Sequence, residues 1–379
     1  MQRKRNTLQA RIGYGFGILG CTLALALASG ANAQQIPPGN ITVFAAGFDD
    51  PRGIKFGPDG FLYVSEAGHG GTLSTAGLCQ QAAPPGSVTG GFNSRISKVS
   101  PTGQISIVAD GIPSSIGADG NTTYGVADVA FVGDQLYALS QGGGCAHGHA
   151  NNALGVIRVQ PNGTWQLIND LGNYIIQNPV KAAFDKDLDP VGTWNAMIEV
   201  DGKLYLIEAN HGVLEEVNPV TGAIRRVKDL TEVASHPIPT TVAFRDSAFH
   251  VGTLGRIPQH AGEAKVWRVE QNGNTKRFAD NLSGVESIVF DSQGRLLVLE
   301  TTTVDGAAFV PNTGKLKRLT LNPNGSSGGP SVLRTEELIT GLNFPTSMTL
   351  RPDGTLFVVI NGHRSGQFTG QVLKVILPN

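Results

Sequence analysis

Histidine and carboxylate side chains are the groups of this 379-residue chain best suited to chemistry. Most of the eight histidines lie in stretches rich in glycine, proline and other turn-forming residues. These are His69, His147, His149, His211, His236, His260 and His363, whereas His250 lies within an apolar run. Three glutamates, Glu66, Glu208 and Glu300, end short apolar runs. Imidazole and carboxylate groups together can hold a metal or a polar ligand, although a solvated loop position is the simpler interpretation of any single histidine.

A second set of polar residues lies within or just before runs of β-branched and aromatic residues. Asp128, Asn195 and Glu286 form this set. They are candidate ligands of one divalent metal, with calcium favoured by oxygen ligands and a zinc-like ion favoured if imidazole takes part. The spacing contains no local metal motif, since even His147 and His149 are only two residues apart in a glycine-rich stretch. Structural hydrogen bonding is the alternative for all three.

The first 33 residues have the pattern of a secretory signal peptide. Four basic residues between positions 3 and 11 precede an apolar run over residues 18–28, and Ala31-Asn32-Ala33 forms a small-x-small cleavage site. A membrane anchor is the alternative, but the apolar run is short for a span and ends in a cleavable motif. We therefore expect an exported mature chain, periplasmic or secreted, with no membrane attachment after cleavage.

Charge and cysteine content narrow the classes of function. Cleavage removes four of the 29 basic residues and none of the 30 acidic ones, which leaves a net charge of −5 and argues against nucleic acid as a partner. It also removes one of the three cysteines and leaves Cys79 and Cys145. In an oxidising compartment these two are expected to form a disulfide, and a free reactive thiol is the alternative.

One sequence phrase occurs at both ends of the mature chain. Residues 52–64 read RGIKFGPDGFLYV and residues 346–359 read TSMTLRPDGTLFVV. Similar pairs of apolar runs joined by a short polar turn lie between them, at residues 127–139, 196–207, 240–251 and 286–299. Each pair indicates a β-hairpin. A second hairpin follows all but the last, at residues 94–112, 155–171, 212–230, 264–282 and 314–338.

Six repeats of four strands predict an all-β fold, a six-bladed β-propeller in a single domain over residues 34–379. The last repeat is one strand short, and residues 41–46 supply a strand from the opposite terminus that closes the ring without an exposed edge. The predicted blades span residues 49–112, 124–171, 193–230, 238–282, 284–340 and 343–379. A β-sandwich is the alternative, but sandwiches lack internal similarity at this period.

The meander of each blade decides which residues meet. Turns within the hairpins share one face of the ring, whereas the longer connections share the other face, where function usually lies. The longer connections span residues 66–94, 110–125, 140–153, 170–194, 253–263, 300–314 and 361–370. Candidate ligand-binding residues at the mouth of the channel are Glu66, His69, His147, His149, Glu208, His211, Glu300 and His363. Asp128, Asn195 and Glu286 are expected to line the channel itself.

The first two blades carry a family resemblance. Residues 49–71, DDPRGIKFGPDGFLYVSEAGHGG, are followed by a long cysteine-containing stretch, by SRISKVSPTGQ and then by YGVADVAFVGDQLYALSQGGG. This order resembles the ScyD/ScyE family of exported propellers, which are related to NHL-repeat proteins and named for an association with scytonemin biosynthesis. The resemblance spans about residues 41–379 and implies a six-bladed, TolB-like propeller outside the cytoplasm, in the context of extracellular secondary metabolism.

The wider superfamily implied by this resemblance contains metal-dependent lactonases of the gluconolactonase type, strictosidine-synthase-like enzymes and quinone-dependent sugar dehydrogenases. Lactonase-type members hold a divalent cation with Glu, Asn and Asp from the starts of inner strands. Here the first inner strand begins Asp50-Pro51-Arg52-Gly53 and lacks that Glu. Asn195 matches the Asn only loosely, and Asp128 and Glu286 lie in other blades or at other depths.

We therefore expect a monomeric exported propeller that binds a small molecule or an extracytoplasmic protein on its loop-rich face. An accessory role in secondary metabolism is the first hypothesis. The alternatives are a metal-dependent hydrolase of the lactonase or esterase type, a quinone-dependent sugar dehydrogenase and a protein-interaction scaffold.

Overall fold

The computed structural model describes residues 37–81, 87–182, 189–256, 260–302, 310–321, 332–362 and 369–378. The predicted signal peptide over residues 1–33 and the candidate His363 lie outside this part of the chain. Within it, the strands form six antiparallel sheets that are the blades of a β-propeller, which confirms the predicted fold class. Among the described residues, no helix is long and apolar enough to cross a membrane.

The blades follow one another along the chain. Blade 1 contains β2 (Pro51–Phe56), β3 (Leu62–Glu66), β4 (Val88–Val99), β5 (Ile105–Gly117) and β6 (Thr123–Tyr124). Blade 2 contains β7 (Val126–Val132), β8 (Gln135–Ser140), β9 (Gly155–Val159) and β10 (Trp165–Leu167). Blade 3 contains β11 (Trp194–Val200), β12 (Lys203–Glu208), β13 (Val213–Val217) and β14 (Ile224–Asp229).

Blade 4 contains β15 (Pro239–Arg245), β16 (Ala248–Thr253), β17 (Ala264–Glu270) and β18 (Thr275–Leu282). Blade 5 contains β19 (Val285–Phe290), β20 (Leu296–Glu300), β21 (Gly314–Leu321) and β22 (Val332–Leu342). Blade 6 contains β23 (Ser347–Leu350), β24 (Thr355–Ile360), β25 (Gly370–Ile376) and β1 (Ile41–Phe48). The helical segments among the described residues are short: α1 (Leu171–Gln177) and 3₁₀ turns at Pro38–Asn40, Cys145–His147 and Leu230–Glu232.

The first strand of the chain closes the ring. β1 pairs antiparallel with β25, from Ile41 opposite Val375 to Phe48 opposite Gly370. It therefore forms the outer strand of blade 6, as the missing strand in the last repeat predicts. Closure in this way places blade 1 beside blade 6, so the two copies of the repeated phrase lie in neighbouring blades.

The apolar core lies between the blades. Trp194 is fully buried with Leu139 and Leu206 between blades 2 and 3, and Phe357 and Val64 are buried between blades 6 and 1. Each such side chain contributes roughly 1.5–3 kcal/mol on burial. Because apolar clusters of this kind occupy the interfaces between successive blades, the positions of the innermost strands are held from both sides.

The long hairpin of blade 1 extends into predicted loops. β4 begins at Val88, six residues before the expected hairpin, and β5 continues to Gly117, with Val88 opposite Gly117 and Gly91 opposite Ser114. β6 adds a fifth strand. Glycine and serine in this extension hide the strand signal, and Gly91 is required because a Cβ there would lie 2.2 Å from the carbonyl oxygen of Gly70.

Candidate functional site

The innermost strands of all six blades line one cavity in the central channel. Its volume is about 60 Å³, which is room for a few water molecules or for one end of a small polar molecule. The polar residues lining it are Arg52, Lys55, Asp128, Gln141, Asn195, Thr240, Thr241, Glu286, Ser287, Thr346 and Ser347. The structure thus brings together the predicted channel residues Asp128, Asn195 and Glu286, from blades 2, 3 and 5.

A β-bulge near the start of the innermost strand turns residues toward this cavity. The pairing of the first strand with the second skips one residue in each of blades 2 to 5 and two residues in blade 1. The skipped residues are Arg52, Gly53, Ala127, Asn195, Thr240 and Glu286, and all of them line the cavity. Because a bulge breaks the alternation of a strand and redirects its side chains, it presents polar groups to the channel at this level.

Hydroxyl groups in the position after the bulge connect neighbouring blades. The amide of Ile288 in blade 5 donates to Oγ1 of Thr241 in blade 4 at 3.3 Å. The amide of Met348 in blade 6 donates to Oγ of Ser287 in blade 5 at 3.2 Å. These short polar side chains therefore hold the ring together around the channel.

Asp128 has the same connecting role and is also part of an ion pair. Its Oδ2 accepts the amide of Met197 in blade 3 at 3.0 Å and lies 3.2 Å from Nζ of Lys55 in blade 1. Its Oδ1 accepts the amide of Val129 at 2.9 Å. Burial raises the pKa of Asp128, against the opposing effect of Lys55 and the two amides. Asp128 thus joins three blades through one carboxylate.

Arg52 is a second cation beside the cavity, held by the unexpected fifth strand of blade 1. Its Nη2 donates to Oγ1 of Thr123 in β6 at 2.7 Å and lies 3.1 Å from Oδ2 of Asp50. The hydroxyl of Thr123 also donates to Asp50. The hairpin extension therefore positions a channel-lining guanidinium.

The glutamates expected at the mouth of the channel are instead inside their blades. Glu66, Glu208 and Glu300 end the second strands of blades 1, 3 and 5, and each is 0% exposed. Each carboxylate accepts a backbone amide just before the innermost strand of its own blade. The donors are Asp49, Thr193 and Ser283, at 2.6, 2.7 and 2.8 Å.

Each of these carboxylates also has a basic neighbour. The neighbours are Arg95, His211 and Lys317, at 2.7, 3.4 and 2.8 Å. Burial lowers the pKa of His211, but the charge of Glu208 outweighs burial and raises it. The three glutamates predicted as ligand candidates at the mouth of the channel thus serve the backbone: a charged acceptor is needed where buried amides turn into the innermost strand, and the glutamates supply it.

The predicted disulfide between Cys79 and Cys145 is confirmed. It joins the long connection of blade 1 to the 3₁₀ turn Cys145–His147, which lies between β8 and β9 of blade 2. The hydroxyl of Thr75 also donates to the carbonyl of Cys145. Two loops on the same face of the ring are thereby fixed to each other.

His147 is buried beneath these joined loops. Its Nε2 lies 2.7 Å from Oδ2 of Asp189, its Nδ1 lies 2.8 Å from the carbonyl oxygen of Gln141, and its ring stacks on Tyr124. A carbonyl oxygen only accepts, so Nδ1 carries a proton. Burial lowers the pKa of His147, but the carboxylate of Asp189 and the carbonyl outweigh burial and raise it. His147 and Asp189 therefore form a buried ion pair.

The other histidines differ in exposure. His149 is buried, with Nε2 3.1 Å from the carbonyl oxygen of Ser114, and burial lowers its pKa. His250 lies within β16 as expected, and burial lowers its pKa to about 3. His69 is exposed, with Nδ1 2.6 Å from Oδ2 of Asp49. Of the mouth candidates that the structure describes, His69 is thus the one that solvent reaches freely.

The channel residues do not fit a divalent metal. Both oxygens of Asp128 accept amides, and the ammonium of Lys55 lies where it would repel a dication. Across the described ranges, no group of three or more His, Cys, Asp and Glu side chains could hold a metal ion. Asp128, Asn195 and Glu286 share the cavity, and the carboxylate of Asp128 is already bound by two amides and the ammonium of Lys55.

Solved structures show the same fold in proteins of different activity. A glucose-dehydrogenase-type oxidoreductase from Thermus thermophilus is 16% identical, with a TM-score of 0.55 over 89% of this chain and 99% of that one. A gluconolactonase from Xanthomonas campestris is 12% identical, with a TM-score of 0.52 over 89% of each chain. The PQQ-bound aldose sugar dehydrogenase of Streptomyces coelicolor is 12% identical, with a TM-score of 0.52 over 89% and 98%. At this identity the likeness establishes the propeller fold alone.

No family model matches the chain, and none of the curated proteins matches it. The site must therefore be interpreted from its own residues.

Sequence reasoning missed most of the channel lining. Arg52 and Lys55 look like ordinary polar positions of an alternating strand, and Gln141 looks like part of a glycine-rich loop. The available signal was the second residue of the innermost strand, which is polar in four blades as Arg52, Asn195, Thr240 and Glu286. Comparing that position across the repeats would have found these four lining residues, but not Asp128, Gln141 or Lys55.

Proposed function

We propose that the mature chain is an exported, monomeric propeller that binds a small polar molecule in its central channel, as an accessory protein of the ScyD/ScyE type in extracellular secondary metabolism. The observation that supports it best is the polar cavity to which all six blades contribute. Apolar clusters between the blades already hold the ring. Polar bulge residues that converge on one cavity are therefore best explained by a ligand.

Two further features support export and an accessory role. The resemblance to ScyD/ScyE proteins covers the whole propeller, and the disulfide between Cys79 and Cys145 suits an oxidising compartment. The partner that fits the cavity is a small molecule or the polar end of a larger one.

The channel favours binding over the two catalytic alternatives. A metal-dependent hydrolase needs a cation site, and Lys55 occupies the neighbourhood of Asp128. A quinone cofactor is planar and aromatic, yet none of the described residues that line the cavity is aromatic. Among the described residues that line the cavity, neither cofactor has a matching set of side chains.

The mature chain offers a direct test, because cleavage leaves two methionines of the three, Met197 and Met348. Met348 lines the cavity, and Met197 is buried between blades 2 and 3. With ¹³C-labelled methionine methyl groups, titration with polyols, amino acids and hydroxy acids is expected to move the Met348 signal to saturation and leave Met197 in place. If no compound moves Met348 selectively, the channel is not a ligand site.

A matched pair of variants locates the binding. Asn195→Ala removes an amide that lines the cavity, whereas Asn162→Ala removes one from an exposed turn of blade 2. We expect Asn195→Ala to lower the affinity obtained from the Met348 titration about tenfold, because one well-placed hydrogen bond to a ligand changes affinity by about this factor. Equal affinity in both variants would place the ligand elsewhere.

Elemental analysis separates this proposal from the hydrolase alternative. We expect less than stoichiometric divalent metal in mature protein purified without chelator or added histidines. If the wild type contains one equivalent of metal and the Asp128→Ala, Glu286→Ala double variant does not, the metal-dependent hydrolase becomes the better proposal. Assays with lactones and esters would then be justified.

A further inference from the structure

One cation of the channel is within reach of a ligand. Lys55 belongs to β2, lines the cavity and has a side chain that is 30% exposed. One edge of β2 pairs with β3, and because β2 is the innermost strand of blade 1 its other edge borders the channel. The cavity wall therefore includes an ammonium-bearing side chain that is both charged and accessible.

The ammonium group of Lys55 is held in place by a fixed carboxylate. Its Nζ lies 3.2 Å from Oδ2 of Asp128, whose side chain is 5% exposed. Asp128 is fixed in turn by the amides of Val129 and Met197, at 2.9 and 3.0 Å. An ammonium group has three N–H donors, and in the described part of the chain Asp128 is the acceptor that this one reaches. Donors thus remain for a ligand on a group whose position is already set.

The contact between the blades does not need this ion pair. The residue that follows the bulge also accepts an amide of the next blade in blades 4 and 5, where it is the uncharged Thr241 or Ser287. A hydroxyl at the position of Asp128 would make the same contact. Charges taken out of water lose hydration that their mutual attraction barely offsets, so an ion pair here is weak evidence of a structural role. The pair therefore indicates a function beyond joining blades.

The positive charge at this position is confined to blade 1. The strand registers align Lys55 with residues of blades 2 to 6 that are apolar or carry a hydroxyl: Ala130, Ile198, Ala243, Val289 and Thr349. Five of the six blades thus form the same innermost strand without a charge at this position. The fold itself does not require a lysine there.

The other charged residues of the described lining differ from Lys55 in position or in commitment. Nη2 of Arg52 donates to Oγ1 and to the carbonyl oxygen of Thr123, at 2.7 and 3.2 Å, and is therefore directed toward β6. Arg52 still adds positive charge on the strand that carries Lys55. Glu286 belongs to blade 5, and blade 6 lies between it and blade 1. The cations of the lining are thus together on blade 1, where they attract an anion.

We propose that the ligand of the channel carries a carboxylate and that Lys55 binds this carboxylate through its ammonium group. The inference rests on the proposed ligand-binding function and names the class of ligand, a small ionised carboxylic acid. Hydrogen bonds between an ammonium and a carboxylate are stronger than those to a neutral carbonyl. The channel should therefore prefer carboxylates over neutral molecules of the same size.

Two pairs of probes that differ in charge but hardly in size test this preference: acetate against acetamide, and glycolate against glycolamide. Binding is followed at neutral pH through the Met348 methyl signal, with Met197 as the internal reference. Sodium chloride keeps the ionic strength constant, so that a general effect of salt is the same for both members of a pair. We expect each carboxylate to bind at least about tenfold more tightly than its amide.

Variants of Lys55 assign the preference to its ammonium group. Lys55→Met removes the charge from a long unbranched side chain, so the preference for carboxylates should fall below about twofold. Lys55→Arg keeps the charge and should retain the preference. The matched control is Lys98→Met, because Lys98 is also in blade 1, is 35% exposed and lies 3.9 Å from Asp59, but does not line the cavity. This control should behave as wild type.

A second variant keeps the test decisive if Lys55→Met folds poorly. Removing the ammonium alone leaves the carboxylate of Asp128 without its counter-ion, whereas the Lys55→Met, Asp128→Asn double variant removes both charges and should also lose the preference. Equal binding of acetate and acetamide by wild type, or an unchanged preference in either folded variant, overturns this inference and leaves channel binding intact. A Met348 response to polyols alone also overturns this inference only, whereas no response to any compound overturns both proposals.

Discussion

Truncating Glu208 should destabilise the propeller strongly, although the sequence suggests a ligand-binding residue. Its carboxylate is 0% exposed and accepts the amides of Thr193, Asn210 and His211 at 2.7, 2.9 and 2.7 Å. Each buried amide left without an acceptor costs about 1–3 kcal/mol. Water entering the vacated space would satisfy part of this loss, so Glu208→Ala should lower the free energy of unfolding by about 3–5 kcal/mol.

Urea denaturation of the mature, oxidised protein measures this change. The matched control is Glu199→Ala, since Glu199 is exposed and accepts the single amide of Gly202 at 2.7 Å. We expect the control to lose less than about 1 kcal/mol. Glu208→Gln keeps one acceptor oxygen, so its loss of unfolding free energy should lie between those of Glu208→Ala and Glu199→Ala. If Glu208→Ala costs no more than Glu199→Ala, the structural role is refuted and a ligand role at this position regains support.

Three other perturbations have defined outcomes. Replacing the half-cystine Cys145 by serine opens a loop with a sequence separation of 66 and should lower the free energy of unfolding by about 4 kcal/mol relative to the oxidised wild type in urea denaturation, and the reduced wild type should behave like the variant. Because the pKa of His147 is raised by Asp189, its stabilising contribution is complete below about pH 6.5 and is lost as pH rises through the raised pKa. The melting temperature of the wild type should therefore decrease as pH rises above about 6.5. In His147→Gln the decrease should be smaller. Ser287→Ala leaves the amide of Met348 unpaired and should cost about 1–3 kcal/mol in the same denaturation assay, with loss of the blade contact visible as faster amide exchange at Met348.

The architecture could be predicted because its signals are local. Alternating apolar runs and tight turns specify hairpins within about a dozen residues, and the six repeats of the hairpin pattern indicate the number of blades. The closing strand at residues 41–46 followed from a count of strands, and the disulfide from two remaining cysteines. None of these inferences required knowledge of how the blades pack.

The glutamates show where this reasoning ends. A glutamate at the end of an apolar run can face solvent or turn inward, and the sequence does not distinguish the two. Glu66, Glu208 and Glu300 turn inward because unpaired amides of a neighbouring segment lie there. Those amides come from residues 15 to 17 positions away, brought close only when the blade forms.

By itself the sequence determined a six-bladed, closed propeller and a pair of cysteines able to join two loops. Only the tertiary structure decided which polar side chains share the channel, because these side chains come from all six blades. In addition, a β-bulge directs side chains toward the channel that simple alternation along the strand would direct away from it. The same packing decided that Asp128 joins three blades, because its partners Lys55 and Met197 come from the blades on either side.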